Sequence, residues 1–127
     1  MGELRFVVNG MRPVPWGSNE WAWRGAIAAE ARSAKASAPG ALEASGVFEV
    51  RLLFRMGSSN IDRADLDNLA KPVLDTVFLS RNAQVKDRTL TGALFDVDDD
   101  RVFRLDLEKR LVSSDLEEGV DVCITWR

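Results

Sequence analysis

The spacing of apolar and polar positions changes period several times along the chain, and each change marks an element. Leu4, Phe6 and Val8 alternate with polar or smaller neighbours and stop at Asn9-Gly10, which predicts a first strand closed by a turn. Two prolines, Pro13 and Pro15, keep residues 12–18 irregular. Ser18 or Asn19 is then placed to cap an alanine-rich helix that runs to about Ala38, where Pro39-Gly40 stops it; Trp23, Ile27, Ala31 and Ala34 form its inward stripe. Period two returns at 47–56, where Phe48, Val50, Leu52, Phe54 and Met56 share one face, predicting a central or near-central strand. After the breaker Gly57-Ser58-Ser59-Asn60, the apolar residues Leu66, Leu69, Ala70, Val73, Leu74, Val77 and Phe78 recur at intervals of three and four, predicting a second helix. Its polar side carries Asp67, Lys71 and Asp75, and Pro72 lies inside it, where it should remove one backbone bond and bend the axis.

Residues 79–95 fit neither period, and their polar stretches predict a mobile connection. Phe103, Leu105, Leu107 and Leu111 alternate with charged residues as another strand, and a turn near 113–119 leads into a last strand at 120–126, so these two are expected to form an antiparallel hairpin. The resulting expectation is an α/β chain of the α+β type: a small mixed β-sheet with two helices packed on it, in the order β-α-β-α-β-β, as a single domain over residues 1–127.

Composition removes whole classes of chemistry. The chain has no histidine and no tyrosine, so Ser-His-Asp and Cys-His sites, histidine-bearing zinc sites and a tyrosine nucleophile are all excluded, and water becomes the expected nucleophile of any hydrolytic reaction. The one cysteine, Cys123, sits in a strand pattern with no histidine to activate it; it reads as structural, and a reducing cytoplasm is the expected location. No stretch reaches the roughly 18 apolar residues of a membrane span, so no membrane partner is expected.

Charge refines the picture. The formal net charge of -3 argues against a nucleic-acid partner, yet taking away seven aspartates (Asp65, Asp67, Asp75, Asp96, Asp98, Asp99 and Asp100) leaves +4 for the remainder. The acidity is concentrated in two clusters, Asp65-Leu66-Asp67-Asn68-Leu69-Ala70-Lys71 and Asp98-Asp99-Asp100. Crowded carboxylates favour a shared proton or a hard cation such as Mg²⁺ or Mn²⁺. Asp65 and Asp67, two apart, face the same way in extended backbone and diverge in a helix, so the motif should straddle the helix start. Two oxygen donors then reach one ion, Lys71 lies one turn on to meet a phosphate or a carboxylate, and a third acid, Asp99 or its neighbours Asp98 and Asp100, must come from another element. Pattern alone equally accommodates a structural account: Asp65 as cap, Asp67 on the helix dipole, and Lys71 in a solvated ladder with Asp67 and Asp75. An EF-hand reading of residues 96–107 fails, since its sixth position is Arg101 and its twelfth Leu107.

Trp16, in a proline-bounded loop, and Trp21 and Trp23 are candidates to stack on an unpaired base, whereas Trp23 and Trp126 fall on apolar faces and fit the core better. Arg51, Arg55, Arg63, Arg101 and Arg104 either follow a phosphate backbone or serve the surface.

The pattern Asp65-Leu66-Asp67-Asn68-Leu69-x-Lys71-x-x-x-Asp75, followed by Asp98-Asp99-x-x-Val102, resembles the signature of the RusA family of Holliday junction resolvases, small dimeric Mg²⁺-dependent endonucleases. The likeness extends over nearly the whole chain in architecture. It implies metal-binding catalytic carboxylates at Asp65, Asp67 and Asp99, a catalytic lysine at Lys71, a homodimer, and hydrolysis of phosphodiesters in four-way DNA junctions during recombination and repair. Two alternatives accompany it: a RusA-like DNA-binding or structural module without activity, and a nuclease for other branched DNA. The acidic groups stand further apart than the family's, so residues near 79–91 read as an insertion, and the chain is more acidic than the better-known members.

Overall fold

The structure is a computed structural model and describes residues 2–38, 46–80 and 87–127. In chain order it has β1 (Gly2–Asn9), α1 (Trp21–Ser37), β2 (Phe48–Met56), α2 (Leu66–Val77), β3 (Val102–Leu111) and β4 (Gly119–Trp126), with short 3-10 turns at Arg88–Leu90, Asp99–Arg101 and Asp115–Glu117. The expected order and the mixed sheet with two helices are observed.

The sheet runs β1-β4-β2-β3, with β4 antiparallel to both β1 and β2, and β3 parallel to β2. The expected hairpin between the last two strands is therefore not formed. Burial explains the choice. Val120, Val122 and Ile124 of β4 are at most 2% exposed and need a strand on each side, while β3 leaves Phe103 72%, Leu105 39% and Leu111 61% exposed and takes the edge. The β2–β3 register slips between Phe48 and Glu49, so Phe103 has no partner across the ladder and is thrown outward.

One sheet face carries Leu4, Phe6, Val8, Phe48, Val50, Leu52, Phe54, Met56, Val120, Val122 and Ile124, all buried beneath the helices. Trp23, Ile27 and Ala31 of α1 reach this core as expected, with Ala34 partly buried at its margin. The other face is polar and open. Ion pairs Arg51–Asp106 and Arg55–Asp121 cross it, and Cys123 lies half-buried there beside Glu3, its thiol pushed up mainly by burial, which suits a structural residue.

Helix α1 starts later than Ser18 or Asn19 would set it. Glu20 stands at its cap position with no side-chain cap bond; its carboxylate instead accepts the Gly17 N–H and pairs with Arg24 one turn on. Residues 81–86 of the connection expected to be mobile lie outside the described residues. Its later part is packed: Leu90, Ala93, Leu94 and Phe95 are buried, and Phe95 stacks on Phe78 with ring centroids 5.4 Å apart. The backbone follows the end of α2, with N–H groups of Gly92, Ala93 and Leu94 donating to the carbonyls of Phe78, Thr76 and Val77. Thr91 of that segment bonds the Asp75 carbonyl, and Asp75 is 6% exposed rather than on a solvated side. No helix among the described residues is long and apolar enough to cross a membrane.

Candidate active site

Three structural devices bring the acidic motifs into position. The loop that precedes α2 hangs on Glu118, a buried carboxylate at the start of β4 that accepts the Gly57 N–H at 2.9 Å and the Asn60 amide at 3.0 Å. Lys109 of β3 donates to the Ile61 carbonyl at 2.8 Å. At the other end of α2, the Thr91 hydroxyl donates to the Asp75 carbonyl at 2.6 Å and accepts the Ser80 N–H at 2.7 Å, and Leu79 N–H bonds Val97 at 2.9 Å. Thus tied, the chain passes directly from Val97 into Asp98 and Asp99 alongside α2. None of these ties was singled out from sequence; the only advance sign was that Leu90, Ala93, Leu94 and Phe95 are apolar within an otherwise polar stretch.

Asp65 occupies the cap position of α2 in extended conformation, and its carboxylate makes no capping bond. Asp67 follows in the first turn, and both side chains are exposed. Their oxygens are accordingly not spent on the helix. Lys71 pairs with Asp75 at 3.6 Å, one turn further along. The solvated ladder is not what forms here, because its far end is buried.

Around Asp75 the helix is held by a second cation, this one buried. Arg24 of α1, 5% exposed, donates from Nε to the Thr76 hydroxyl at 3.0 Å and from Nη2 to the Leu90 carbonyl at 2.6 Å. Burial pushes the Asp75 carboxyl up, with Lys71 and Arg24 pulling it back and Asp98 adding to the rise.

Asp99 opens the 3-10 turn before β3 and is partly buried, whereas Asp100 is exposed. Its carboxyl is pushed up to about 6, first by burial, then by the hydrogen bond and charge of Asp98 and by the charge of Asp75, against the pull of Lys71. Asp99, Asp98, Asp75 and Lys71 are therefore one electrostatic neighbourhood. Of the expected trio Asp65, Asp67 and Asp99, Asp65 and Asp67 lie at the start of α2, whereas the charges that act most on Asp99 are Asp98, Asp75 and Lys71. Among the described residues, no three acidic or cysteine side chains stand close enough to form a ready-made metal cage. The acids of this neighbourhood, Asp75, Asp98 and Asp99, offer carboxylate oxygens, which suit a hard divalent cation rather than zinc or copper.

Several other candidates are accounted for structurally. Trp23 is 1% exposed in the core, and Trp126 packs edge-on against Phe95. Arg51 and Arg104 pair with Asp106, Arg55 bonds Asp121 and the carbonyls of Val8 and Glu117, and Arg101 donates to the Gly46 carbonyl. No protein-family model and no curated protein matches the chain.

Proposed function

We propose that this protein is a divalent-metal-dependent endonuclease for branched DNA, with four-way junctions as the substrate its RusA-like motif suggests. The observation that carries the reading is the set of charges at α2: the turn before β3 brings Asp98 and Asp99 to Asp75 and Lys71, and the same helix begins with Asp65 and Asp67, whose carboxylates are exposed, Asp65 making no capping bond. Ionised carboxylates crowded at a partly buried position repel one another, and a hard divalent cation relieves that repulsion, so the chemistry of the donor set fits Mg²⁺ or Mn²⁺. Asp65, Asp67 and Asp99 are the residues that would hold it. Such an ion, when bound, activates water and neutralises phosphoryl oxygens. Lys71 contributes a positive charge at the same face, where it can meet the phosphate in place of Asp75.

A homodimer belongs to the proposal, since two equivalent sites match the near two-fold symmetry of a junction. The edge strand β3 supports it, with exposed Phe103, Leu105 and Leu111 beside unpaired backbone groups. A second reading, a branched-DNA-binding module without cleavage, is favoured by one observation: no three acids among the described residues are gathered into a cage.

Labelled four-way junctions, flaps and linear duplexes incubated with Mg²⁺, Mn²⁺ or EDTA separate these readings. Nicking that requires the ion and disappears in Asp67→Asn, with junction binding retained, supports the nuclease. Unchanged nicking by Asp67→Asn refutes the site assignment, and binding without nicking under either ion favours the module.

A further inference from the structure

A proline inside a helix leaves the carbonyl four residues before it without a donor. In α2 that proline is Pro72, and the freed carbonyl of Asn68 accepts the backbone N–H of Trp16 at 2.8 Å. The irregular loop between β1 and α1 is thereby fastened by its main chain to α2, between Asp67 and Lys71. Its far side is fastened too. Ser18 N–H closes a turn onto the Pro15 carbonyl at 3.3 Å, and Gly17, at φ +90, donates its N–H to Glu20 at 3.1 Å.

Although the loop is tightly held, the Trp16 side chain is 40% exposed. The Lys71 ammonium lies over its ring, 5.9 Å from the centroid, within cation–π range. An open indole therefore stands directly beside the one lysine of the acidic motif.

We propose that Trp16 is the stacking platform for one unpaired base of a branched DNA substrate, next to the phosphate that Lys71 meets. This rests on the nuclease reading and names the part of the substrate that its site selects. Base–indole stacking is tolerant of sequence because every base has a π-face, and it is worth about 1–3 kcal/mol per base. A continuous duplex has no free base to offer. At a branch point the stack is interrupted, so a base there is unpaired and exposed at lower cost, and the platform prefers branched over linear DNA without reading base identity.

Trp16→Ala and Trp16→Phe test this on the full chain, because the tie to Asn68 is made by the main chain and survives either change. Binding in EDTA and nicking in Mg²⁺ are measured on four-way junctions that are intact or carry a tetrahydrofuran abasic nucleotide, moved one position at a time around the branch. Trp16→Ala is expected to weaken binding to the intact junction by about 5- to 150-fold, the factor equivalent to that stacking energy, with Trp16→Phe recovering most of it. One abasic position should weaken the wild type and leave Trp16→Ala unchanged. Equal binding and nicking by Trp16→Ala and wild type overturns the proposal, as does an abasic scan that weakens both proteins by the same factor everywhere. A wild type that binds junctions without nicking them sinks the nuclease reading alone, and the abasic scan still decides the platform; a wild type that binds no branched DNA overturns both.

Discussion

Replacing Asp99 by asparagine should stabilise the metal-free protein at neutral pH and do little at pH 4.5. The Asp99 carboxyl is raised from the ordinary 3.8 to about 6, by burial first and then by Asp98 and Asp75. An acid raised in the folded state binds its proton more tightly there than in the unfolded chain, so folding carries no penalty from it below about pH 3.8. The penalty grows as pH rises towards about 6 and is complete above it. A gap of about two pH units corresponds to about 3 kcal/mol at about 1.36 kcal/mol per unit. Asp99 is only partly buried, so solvent screening reduces this to on the order of 1 kcal/mol. For a chain of this length that is about 3–5 °C in melting temperature. Thermal unfolding followed by near-UV circular dichroism in EDTA, at pH 7.5 and pH 4.5, reads the difference directly. A melting temperature lowered by Asp99→Asn at pH 7.5, or raised equally at both pH values, would refute the reasoning. Adding millimolar Mg²⁺ extends the test, since the wild type should gain stability and Asp99→Asn should not. Asp75 is shifted in the same direction by burial, so its ionisation should likewise oppose folding of the metal-free protein as pH rises.

Other outcomes follow from the ties around the site. Arg24→Met removes a buried cation that bonds Thr76 and Leu90 and faces Asp75, and should cost about 3–5 kcal/mol in urea unfolding. Thr91→Val breaks the link between the 87–97 segment and α2 and should cost about 1–2 kcal/mol, with faster amide exchange at Ala93 and Leu94 as its local sign. Gly119→Ala would set a Cβ 1.8 Å from the Val8 carbonyl oxygen at φ +155, so β1 must shift away from β4; a melting temperature within about 1 °C of wild type would contradict that.

The elements most legible in the sequence were those whose own pattern decides their burial. Strands β1 and β2 and helix α2 bury the residues their periods pick out, because each packs one face on the shared core. What sequence could not supply was pairing at a distance. The last two strands are close along the chain and invite a hairpin, but β4 is apolar enough to demand two neighbours and inserts between β1 and β2. Asp75 looked exposed because its helix has a polar side, and nothing local to α2 announces the segment whose Thr91 bonds its carbonyl. Asp98, Asp99 and Asp100 are equivalent as letters; the 3-10 turn separates them, leaving Asp100 in solvent and Asp99 turned into the acid neighbourhood. Pro72 was legible as a broken helix bond, though not as the anchor for Trp16.

The position of β4 governs how the molecule can be assembled. Its ladder with β1 joins Gly2 to Trp126, so the first strand must wait for the last to be synthesised before it finds a place in the sheet. The unit β2-α2-β3, contiguous in sequence, holds Asp65, Asp67, Lys71 and Asp99 and can begin to form earlier. Folding should therefore show a late, slow closure, as non-local pairings do, in which the N-terminal strand docks onto a site whose parts are already neighbours.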